Sequence, residues 1–365
     1  REAMSGKRMD MRQVLDLVAL GTLADMVSLT GQNRILVKNG LLKIAEAKRP
    51  GLAELKGASG FSPVAALGAG QVVFNLAPRI NAAGRMGRAE LAAELLLTDD
   101  PVRAEKLARE LCELNRERQS VEQDIFRCAI EQMDTLAPTE RNALVLSSEE
   151  WHQGVVGIVA GKLKERYNVP AFVMSIEPDE VKGSARSVPG VDLGALIIAA
   201  KEKGLLTKGG GHTMAAGFSL SEDKIEAFRR FAGEYVRQKL GEEDVAPVIE
   251  VDSALDLLGA NTDFAAALEL LEPFGAGNAE PKIVLEHVRI VKPGIVGAGH
   301  VRCFLTSGNG GSLKAMAFKI ADTELGKTLL NSQGAVFDIA GVLRRDNWQG
   351  RNSVQFIIDD AIRCE

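Results

Sequence analysis

The stretch ALVLSSEEWHQGVVGIVAGKLKERYNVPAFVM (143–174) carries the clearest fold signal in the chain. A short apolar run at 143–146 is followed by a loop, an amphipathic pattern over 155–167 and a second apolar run at 171–174. Apolar runs on either side of a segment with helical periodicity predict a strand, a helix and a second strand. Because a crossover of this kind joins parallel strands, the stretch predicts an α/β domain with parallel pairing in its sheet.

Upstream of this unit, one helical stripe runs without interruption from Pro101. Its members recur at spacings of three and four residues: Leu107, Leu111, Leu114, Arg118, Val121, Ile125 and Cys128. The spacing predicts a single helix of about eight turns, which is either a packing helix or a rigid connector between two domains. Residues 11–24 and 34–45 show shorter helical patterns, typical of a helical layer or of the flank of an α/β layer.

The last third of the chain has the pattern of a small β-barrel. The acidic run at 242–244 and Pro247 predict a linker. Beyond it, five β-rich runs are separated by glycine turns, at 283–291, 300–306, 313–318, 336–343 and 353–358. This pattern favours an OB-like barrel. Residues 241–365 carry 11 Lys and Arg against 18 Asp and Glu, a net charge of −7, which is unfavourable for binding DNA electrostatically.

Composition excludes several classes of protein. With 365 residues, 46% apolar and 25% charged, the chain is long enough for two or three folded domains. No apolar run is long enough to span a membrane, and no secretory signal core follows the N-terminus. The four cysteines lack CxxC spacing, which argues against a disulfide framework and a thiolate zinc site, so a reducing cytoplasm is expected. Walker A, Rossmann, GxSxG and HExxH motifs do not occur.

Two segments in the first hundred residues offer ligands for metal or phosphate. The string ALGTLAD (19–25) delivers the carboxylate of Asp25, which suits a hard divalent cation, although a solvated or helix-capping aspartate is the alternative interpretation. The string APRINAAGR (77–85) combines Arg79, Asn81 and Arg85 with small residues that let a ligand approach closely. Arginine forks suit phosphate oxygens. An ordinary helix-start loop with surface arginines is the alternative here.

Three segments in the middle of the chain point to phosphate binding. In WHQGVVG (151–157), His152 stands beside the predicted helix N-terminus, whose free N–H groups favour an anion. The predicted loop GSARS (183–187) offers Ser184 and Arg186 as donors.

The string GGGHTMAAG (209–217) is the most specific in the chain. Its glycines Gly209, Gly210 and Gly211 predict a turn whose backbone amides face a phosphate, with His212 as a further donor. A flexible linker, the alternative, would not be expected to continue with His-Thr-Met-Ala-Ala-Gly.

In this order, segments 17–25, 75–85, 151–157, 184–187 and 209–217 resemble the RecJ family of bacterial 5′ to 3′ single-strand DNA exonucleases, in the DHH phosphoesterase superfamily. The glycine-histidine string is similar to the signature of the DHHA1 domain. EPFGAGNAEP (272–281) resembles the beginning of the family's OB domain. The resemblance implies the end of a DHH domain at 1–100, a connecting long helix at 101–136, a DHHA1 α/β domain with a mixed sheet at 137–241 and an OB-like barrel at 245–365.

The family resemblance implies a hydrolase that uses two Mn²⁺ or Mg²⁺ ions. Asp25 matches one of the family's metal-ligand motifs, whereas the Asp-His-His triplet is missing from the sequence. One aspartate cannot hold two cations, since each needs several ligands. The chain alone is therefore expected to be inactive, with the remaining family motifs preceding Arg1.

The resemblance also assigns roles. Arg79, Asn81 and Arg85 would line the catalytic cleft and hold the scissile or a neighbouring phosphate. His152, Ser184, Arg186 and the turn formed by Gly209, Gly210, Gly211 and His212 would grip the other phosphates of single-stranded DNA. The barrel would stack bases on its few aromatic residues, Phe304, Phe318 and Trp348. A monomer acting in DNA repair and recombination, with a single-strand-binding protein and a RecQ-type helicase as partners, is a family expectation.

Three other functions stay open. An oligoribonuclease or cyclic-dinucleotide phosphodiesterase would also combine DHH and DHHA1 domains, but the long helix and the barrel weigh against it. A non-catalytic single-stranded nucleic-acid-binding or scaffold module would explain the missing metal ligands. The DHHA1-type appendage of an alanyl-tRNA synthetase is poorly supported, because nothing here resembles an editing or aminoacylation domain.

Overall fold

The computed structural model describes residues 10–137, 141–241, 248–346 and 353–364. The predicted linker, 242–244 with Pro247, and Trp348 lie outside these residues. The chain groups into two compact units: Arg1–Leu42, Gly68–Gly70 and Val248–Glu365 form the first, and Lys43–Leu67 with Gln71–Pro247 form the second. Within the described part of the chain, no helix combines the length and the apolar character needed to cross a bilayer.

The first unit begins with helices in close contact. A 3-10 turn, Met11–Val14, leads into α1 (Leu15–Ala24), and α2 (Gly31–Glu46) follows. A Cβ atom on Gly40 of α2 would lie 2.2 Å from the Leu15 carbonyl oxygen and 2.4 Å from the Ala19 Cβ. Only glycine therefore allows the two backbones to pack this closely.

The EPFGAGNAEP segment docks onto the loop between α1 and α2. The Leu29 N–H donates to the Ala276 carbonyl oxygen at 2.6 Å, and the Arg34 guanidinium donates to the Leu271 carbonyl oxygen at 2.6 Å. A Cβ on Gly277, which has a φ of +71°, would lie 2.0 Å from the Ser28 Oγ. The positive φ and the close approach of the Ser28 side chain therefore both favour glycine at position 277.

The barrel of the first unit contains the five predicted strands. Its elements are β6 (Ser253–Leu255), α11 (Thr262–Glu269), β7 (Ile283–Val296), β8 (His300–Ser307), β9 (Gly310–Ala317), α12 (Glu324–Leu330), β10 (Val336–Asp346) and β11 (Ser353–Arg363). Strands pair in the order β7, β8, β9, β11, β10, and β10 pairs again with β7, which closes the barrel. Only β9 and β11 within this ring are parallel. The interior is apolar, as the period-two burial of β8 and β9 shows.

The second unit starts with a helical layer. It comprises α3 (Pro50–Ala58), the last residue of α4 (Ala69–Gln71), a π-helical turn (Val72–Leu76), α5 (Ala77–Arg85), α6 (Ala89–Leu97) and α7 (Pro101–Thr135). The 35-residue α7 confirms the predicted long helix and is capped by Asp100, whose carboxylate accepts from the Val102 N–H at 2.9 Å. Its first half packs against α3, α5 and α6, and its second half packs against the sheet domain that follows.

That sheet is mixed, as the resemblance implies. Its elements are β1 (Leu144–Ser148), α8 (Val156–Tyr167), β2 (Ala171–Ile176), β3 (Val181–Arg186), α9 (Leu193–Glu202), β4 (Lys208–His212), β5 (Ala215–Leu220) and α10 (Ile225–Leu240). The strand order is β1, β2, β3, β5, β4. The predicted β1–α8–β2 unit is confirmed by parallel pairing of β1 and β2, and the other pairs are antiparallel.

Two local predictions in this sheet are wrong. The predicted loop at 183–187 is mostly β3, a central strand whose residues alternate between buried and half-buried. The predicted turn at 209–212 is β4, an exposed edge strand. In both places glycine makes room for neighbours: a Cβ on Gly183 would lie 2.3 Å from the Phe218 ring, and one on Gly209 would lie 2.6 Å from Ile197 Cγ2. Close packing, rather than a positive φ, thus accounts for these glycines.

Candidate nucleic-acid interface

The predicted residues Arg79, Asn81 and Arg85 lie on α5, a helix that begins at the π-helical turn and has Pro78 in its first turn. Asn81 and Arg85 are four residues apart and share a face, whereas Arg79 lies on another face. The Arg79 Nε donates to Cys112 Sγ on α7 at 3.1 Å, and its Nη1 donates to the Asn75 carbonyl oxygen. Arg79 thus ties α5 to α7 and stands apart from the other predicted phosphate ligands.

Arg85 reaches the loop that follows β1. Its Nη1 donates to the Gly154 carbonyl oxygen at 3.2 Å, and a Cβ on Gly154 would lie 2.2 Å from the Arg85 carbonyl oxygen. The Gly154 N–H in turn donates to His152 Nδ1 at 3.1 Å. Since Nδ1 accepts this bond, the proton of the neutral imidazole is on Nε2, and the exposed His152 ring offers that N–H as a donor.

Ser184 and Arg186 lie two residues apart on β3 and so project from the same face of the sheet. The first turn of α8 lies over this face, because a Cβ on Gly157 would be 3.3 Å from Ser184 Oγ and 3.5 Å from Arg186 Nη2. The Val156 N–H donates to the His152 carbonyl oxygen and the Ile158 N–H donates to the Val155 carbonyl oxygen, so Gly157, beside the Arg186 guanidinium, supplies the backbone N–H that is available to an anion. A helix N-terminus with an adjacent arginine is suited to an anion.

The pairing register of β3, β5 and β4 places the glycine-histidine strand, β4, level with Ser184 and Arg186. Arg186 pairs with Ala215, and Ala215 pairs with His212; in the same way, Ser184 pairs with Gly217, and Gly217 pairs with Gly210. Directly opposite residues project from one face, so these two rungs share the face that α8 partly covers.

We call this surface the trough. Its floor is formed by the small residues Gly210, Ala215 and Gly217. Its border is formed by the α8 N-terminus and by the polar or charged side chains of Ser184, Arg186 and His212. Gly210, His212 and Gly217 are exposed, and Ala215 is half-buried. Two strand spacings make the trough about 10 Å wide, enough for a sugar-phosphate backbone to lie on the floor with donors on both sides.

The cations at the Arg186 side of the trough lack acidic partners. Burial, and then the nearby charge of Arg85, lower the pKa of Arg186. Burial and the charge of Arg118 lower the pKa of Arg85, and Glu122 acts in the opposite direction. Among the residues that the structure describes, no carboxylate forms an ion pair with either guanidinium. Guanidinium groups stay charged at neutral pH, so both are available to phosphate oxygens.

A buried carboxylate anchors the rest of this basic cluster. Glu122 on α7 pairs with Arg118 on the same helix and with Lys162 on α8, and Arg118 also donates to Asn115 Oδ1 at 2.9 Å. Sequence reasoning missed Glu122 and Lys162. The spacing of Arg118 and Glu122, one helical turn apart, was a usable signal, whereas nothing in the sequence indicates that Lys162 reaches α7.

Asp25 occupies a different environment. It is the exposed C-cap residue of α1, and its N–H donates to the Gly21 carbonyl oxygen at 3.1 Å. In the described ranges, the one group of three side chains able to hold a metal together does not include Asp25. The described residues near Asp25 therefore do not by themselves make a two-metal centre, to which Asp25 could contribute a single carboxylate.

Aromatic side chains that could stack on bases are sparse. In the barrel, Phe318 is exposed and lies edge-on to His300, with ring centroids 5.2 Å apart, while Phe304 is half-buried. Sequence reasoning missed Phe74, which is 79% exposed on the π-helical turn that precedes α5. Such turns are frequent at functional sites.

Family models and curated proteins that match this chain agree on the family it resembles. The DHHA1 domain family matches residues 140–238, and the RecJ OB domain family matches residues 251–360. The single-stranded-DNA-specific exonuclease RecJ of Bacillus subtilis is 34% identical over 97% of this chain and 44% of its own length. The Escherichia coli protein of the same name is 34% identical over 96% of this chain and 61% of its own length. The chain thus spans between two fifths and two thirds of the length of these relatives.

Solved structures agree. The crystal structure of Thermus thermophilus RecJ in complex with Mn²⁺ aligns with a TM-score of 0.81 and 33% identity, covering 97% of this chain and 50% of that one. The same protein in complex with Mg²⁺ aligns with a TM-score of 0.80, covering 97% of this chain and 53% of that one.

Proposed function

We propose, since this chain belongs to the RecJ family, that it provides the strand-holding part of a metal-dependent exonuclease that hydrolyses single-stranded DNA from 5′ to 3′. The observation that carries the proposal is the trough, where small residues leave the sheet face open beside unpaired cations. A phosphodiester backbone matches both its narrow floor and its charge.

Several side chains in and beside the trough have roles that their geometry supports. Arg186 and Arg85 would bind phosphate oxygens through their forks, and the Gly157 N–H at the start of α8 would donate to the same phosphate. His152 would add its Nε2 proton, and His212 would contact the next phosphate from the β4 side. Asn81, on the same helix face as Arg85, would extend this contact towards the scissile phosphate. The guanidinium of Arg79 already donates hydrogen bonds to Cys112 and Asn75, so we assign Arg79 the role of positioning α5.

Divalent metal use is proposed because the similar Thermus structures are complexes with Mg²⁺ and Mn²⁺. When bound, such ions would activate water and stabilise the leaving oxygen. Asp25 would supply one ligand. Because the described residues around it do not complete a two-ion centre, we expect the 365-residue chain alone to release no mononucleotides from single-stranded DNA. Processive release in the presence of Mn²⁺ would contradict this expectation.

The proposal is tested by binding. A fluorescent 5′-labelled oligodeoxythymidylate should bind the chain with an affinity that falls as salt rises. Arg186→Ala should weaken binding by about 10- to 100-fold, the value of a lost charge-assisted contact, and reduce the salt slope by about 0.7. Arg230→Ala is the matched control, since Arg230 is an exposed arginine on α10. Equal losses in the two variants, or none in Arg186→Ala, would overturn the trough as the binding site.

A second candidate is a non-catalytic single-strand-binding module, favoured by the lone carboxylate of Asp25. It predicts the same binding data. The coding sequence upstream of Arg1 separates the two: an in-frame Asp-His-His triplet supports the exonuclease, and a start codon near Met4 supports the binding module. The domain boundaries at 100, 136 and 241, the monomeric state and the two protein partners stay predictions.

A further inference from the structure

A cluster of three metal-ligating side chains lies where the barrel closes. His287 on β7, Asp338 on β10 and Cys364, which follows β11, place one ligand atom each within 4.8 Å of one another. The His287 Nδ1 is 3.7 Å from Asp338 Oδ1. None of these residues belongs to the trough or to the family motifs described above.

An irregularity in the backbone creates the cluster. Phe337 pairs with Val288 and Ile339 pairs with Leu285, so that Glu286 and His287 together oppose the single residue Asp338. This is a β-bulge, a feature that redirects a side chain out of its regular strand position. His287 has a φ of +53°, and its N–H donates to Asp338 Oδ1 at 2.8 Å. Left-handed backbone is uncommon for a residue other than glycine, which marks the position as specialised.

Cys364 is fixed beside this bulge. Its N–H donates to the Val336 carbonyl oxygen at 2.9 Å, so the segment after β11 continues to pair with the start of β10. Burial, and then the Asp338 carboxylate to which the thiol donates, raise the pKa of Cys364. The thiol is therefore protonated without a metal, and a bound cation would have to displace that proton.

The donor set selects the ion. A thiolate, an imidazole and a carboxylate together suit Zn²⁺, whereas Mg²⁺ and Mn²⁺ prefer oxygen ligands. Zinc bonds of about 2.0–2.3 Å place tetrahedral ligands some 3.3–3.8 Å apart, so a pair of ligand atoms at the 4.8 Å limit would have to close by about 1.0–1.5 Å. The His287 side chain is 75% exposed and is free to make that adjustment. A thiolate and a carboxylate also balance the two charges of the ion.

We propose that His287, Asp338 and Cys364 bind one Zn²⁺ ion, with water in the fourth position, and that this ion fastens the end of β11 to the β7–β10 closure. The Cys364 proton leaves to solvent as the sulfur–zinc bond forms, and no redox change occurs. This site would be separate from any Mg²⁺ or Mn²⁺ bound through Asp25, because Mg²⁺ and Mn²⁺ bind thiolate weakly.

Co²⁺ is the probe, since it takes the place of zinc and shows a thiolate-to-cobalt charge-transfer band only when a cysteine coordinates it. Titration of the metal-free, reduced 365-residue chain should give this band with one equivalent of Co²⁺, and Zn²⁺ should abolish it. Cys364→Ser should remove the band, and His287→Ala should weaken Co²⁺ binding at least tenfold. Cys128→Ser, which changes a half-buried cysteine on α7, is the matched control and should leave the band intact.

Thermal melting curves test whether each variant is folded and whether zinc stabilises it. Zn²⁺ should raise the melting temperature of the wild-type chain and of Cys128→Ser, but not that of Cys364→Ser or Asp338→Asn. Absence of the charge-transfer band in the wild-type chain, or its persistence in Cys364→Ser, would overturn the proposal. A zinc-induced stabilisation that survives in a folded Cys364→Ser variant would do so as well.

Discussion

The arginines beside the trough and the arginines at the end of β10 in the barrel differ in whether a carboxylate pairs with them. At the trough, Arg85 and Arg186 have no ion-paired carboxylate among the described residues. In the barrel, Arg344 pairs with Glu280 and Arg345 pairs with Glu269. Pairing therefore matters more than the count of charges: a cation that already has a carboxylate gains little from a phosphate, whereas an unpaired one gains a full charge-assisted bond.

The largest expected effect tests this contrast directly. Arg85→Ala combined with Arg186→Ala should lower the affinity for single-stranded DNA at least a hundredfold, since two charge-assisted contacts of about 1.5–3 kcal/mol each are lost. Arg344→Ala combined with Arg345→Ala should change it less than about threefold, because both guanidinium groups are already paired with carboxylates. Anisotropy titrations at a fixed low salt concentration measure both. A larger loss in the barrel double variant would place the main DNA contact in the barrel.

A smaller expected effect distinguishes a glycine needed for DNA binding at the floor of the trough from a glycine needed for packing of the sheet. A Cβ on Gly217 meets no atom closer than 4.0 Å, so Gly217→Val should leave the melting temperature near that of the wild-type chain while the new side chain lowers DNA affinity about tenfold. A Cβ on Gly211 would lie 2.5 Å from the Ala215 carbonyl oxygen, so Gly211→Ala should destabilise the fold by about 1–3 kcal/mol. If Gly217→Val binds DNA normally, the floor is not in contact with the strand.

The smallest effect concerns a charge in the helical layer of the second unit. Lys56 is fully buried, its Nζ donates to the carbonyl oxygens of Ile44 at 3.0 Å and Ala65 at 2.8 Å, and burial lowers its pKa. At a pH between the folded and the unfolded pKa of Lys56, the unfolded chain holds more of the Lys56 proton than the folded chain does. The free-energy penalty for burying the charged lysine is therefore relieved as the pH rises towards about 10.5.

Lys56→Met removes that titration. The free energy of unfolding of the wild-type chain should therefore increase relative to Lys56→Met as the pH rises from the lowered folded pKa of Lys56 towards about 10.5. Urea melts at several pH values measure the difference. A constant difference would show that the folded and unfolded pKa values of Lys56 are equal.

Much of the secondary structure follows from local pattern. The predicted strand at 143–146 corresponds to Leu144–Ser148, and the predicted helix at 155–167 to Val156–Tyr167. The five barrel strands agree in place but are longer in the structure, β11 reaching Arg363 rather than residue 358. Strand pairing with neighbours extends an element beyond its own apolar run, which a single segment does not reveal.

The order of elements, the long helix, the strands of the closed barrel and the residue types at the candidate sites can be predicted from the chain's local pattern, because periodicity and glycine spacing are local properties. Which of those residues act together depends on how the chain packs in three dimensions. This packing turned Arg79 towards Cys112, set Arg186 and His212 on one rung across Ala215, and brought His287 to Asp338 and Cys364. Strand register, close glycine packing and ion pairing join residues far apart in the chain, and no local pattern encodes those partners.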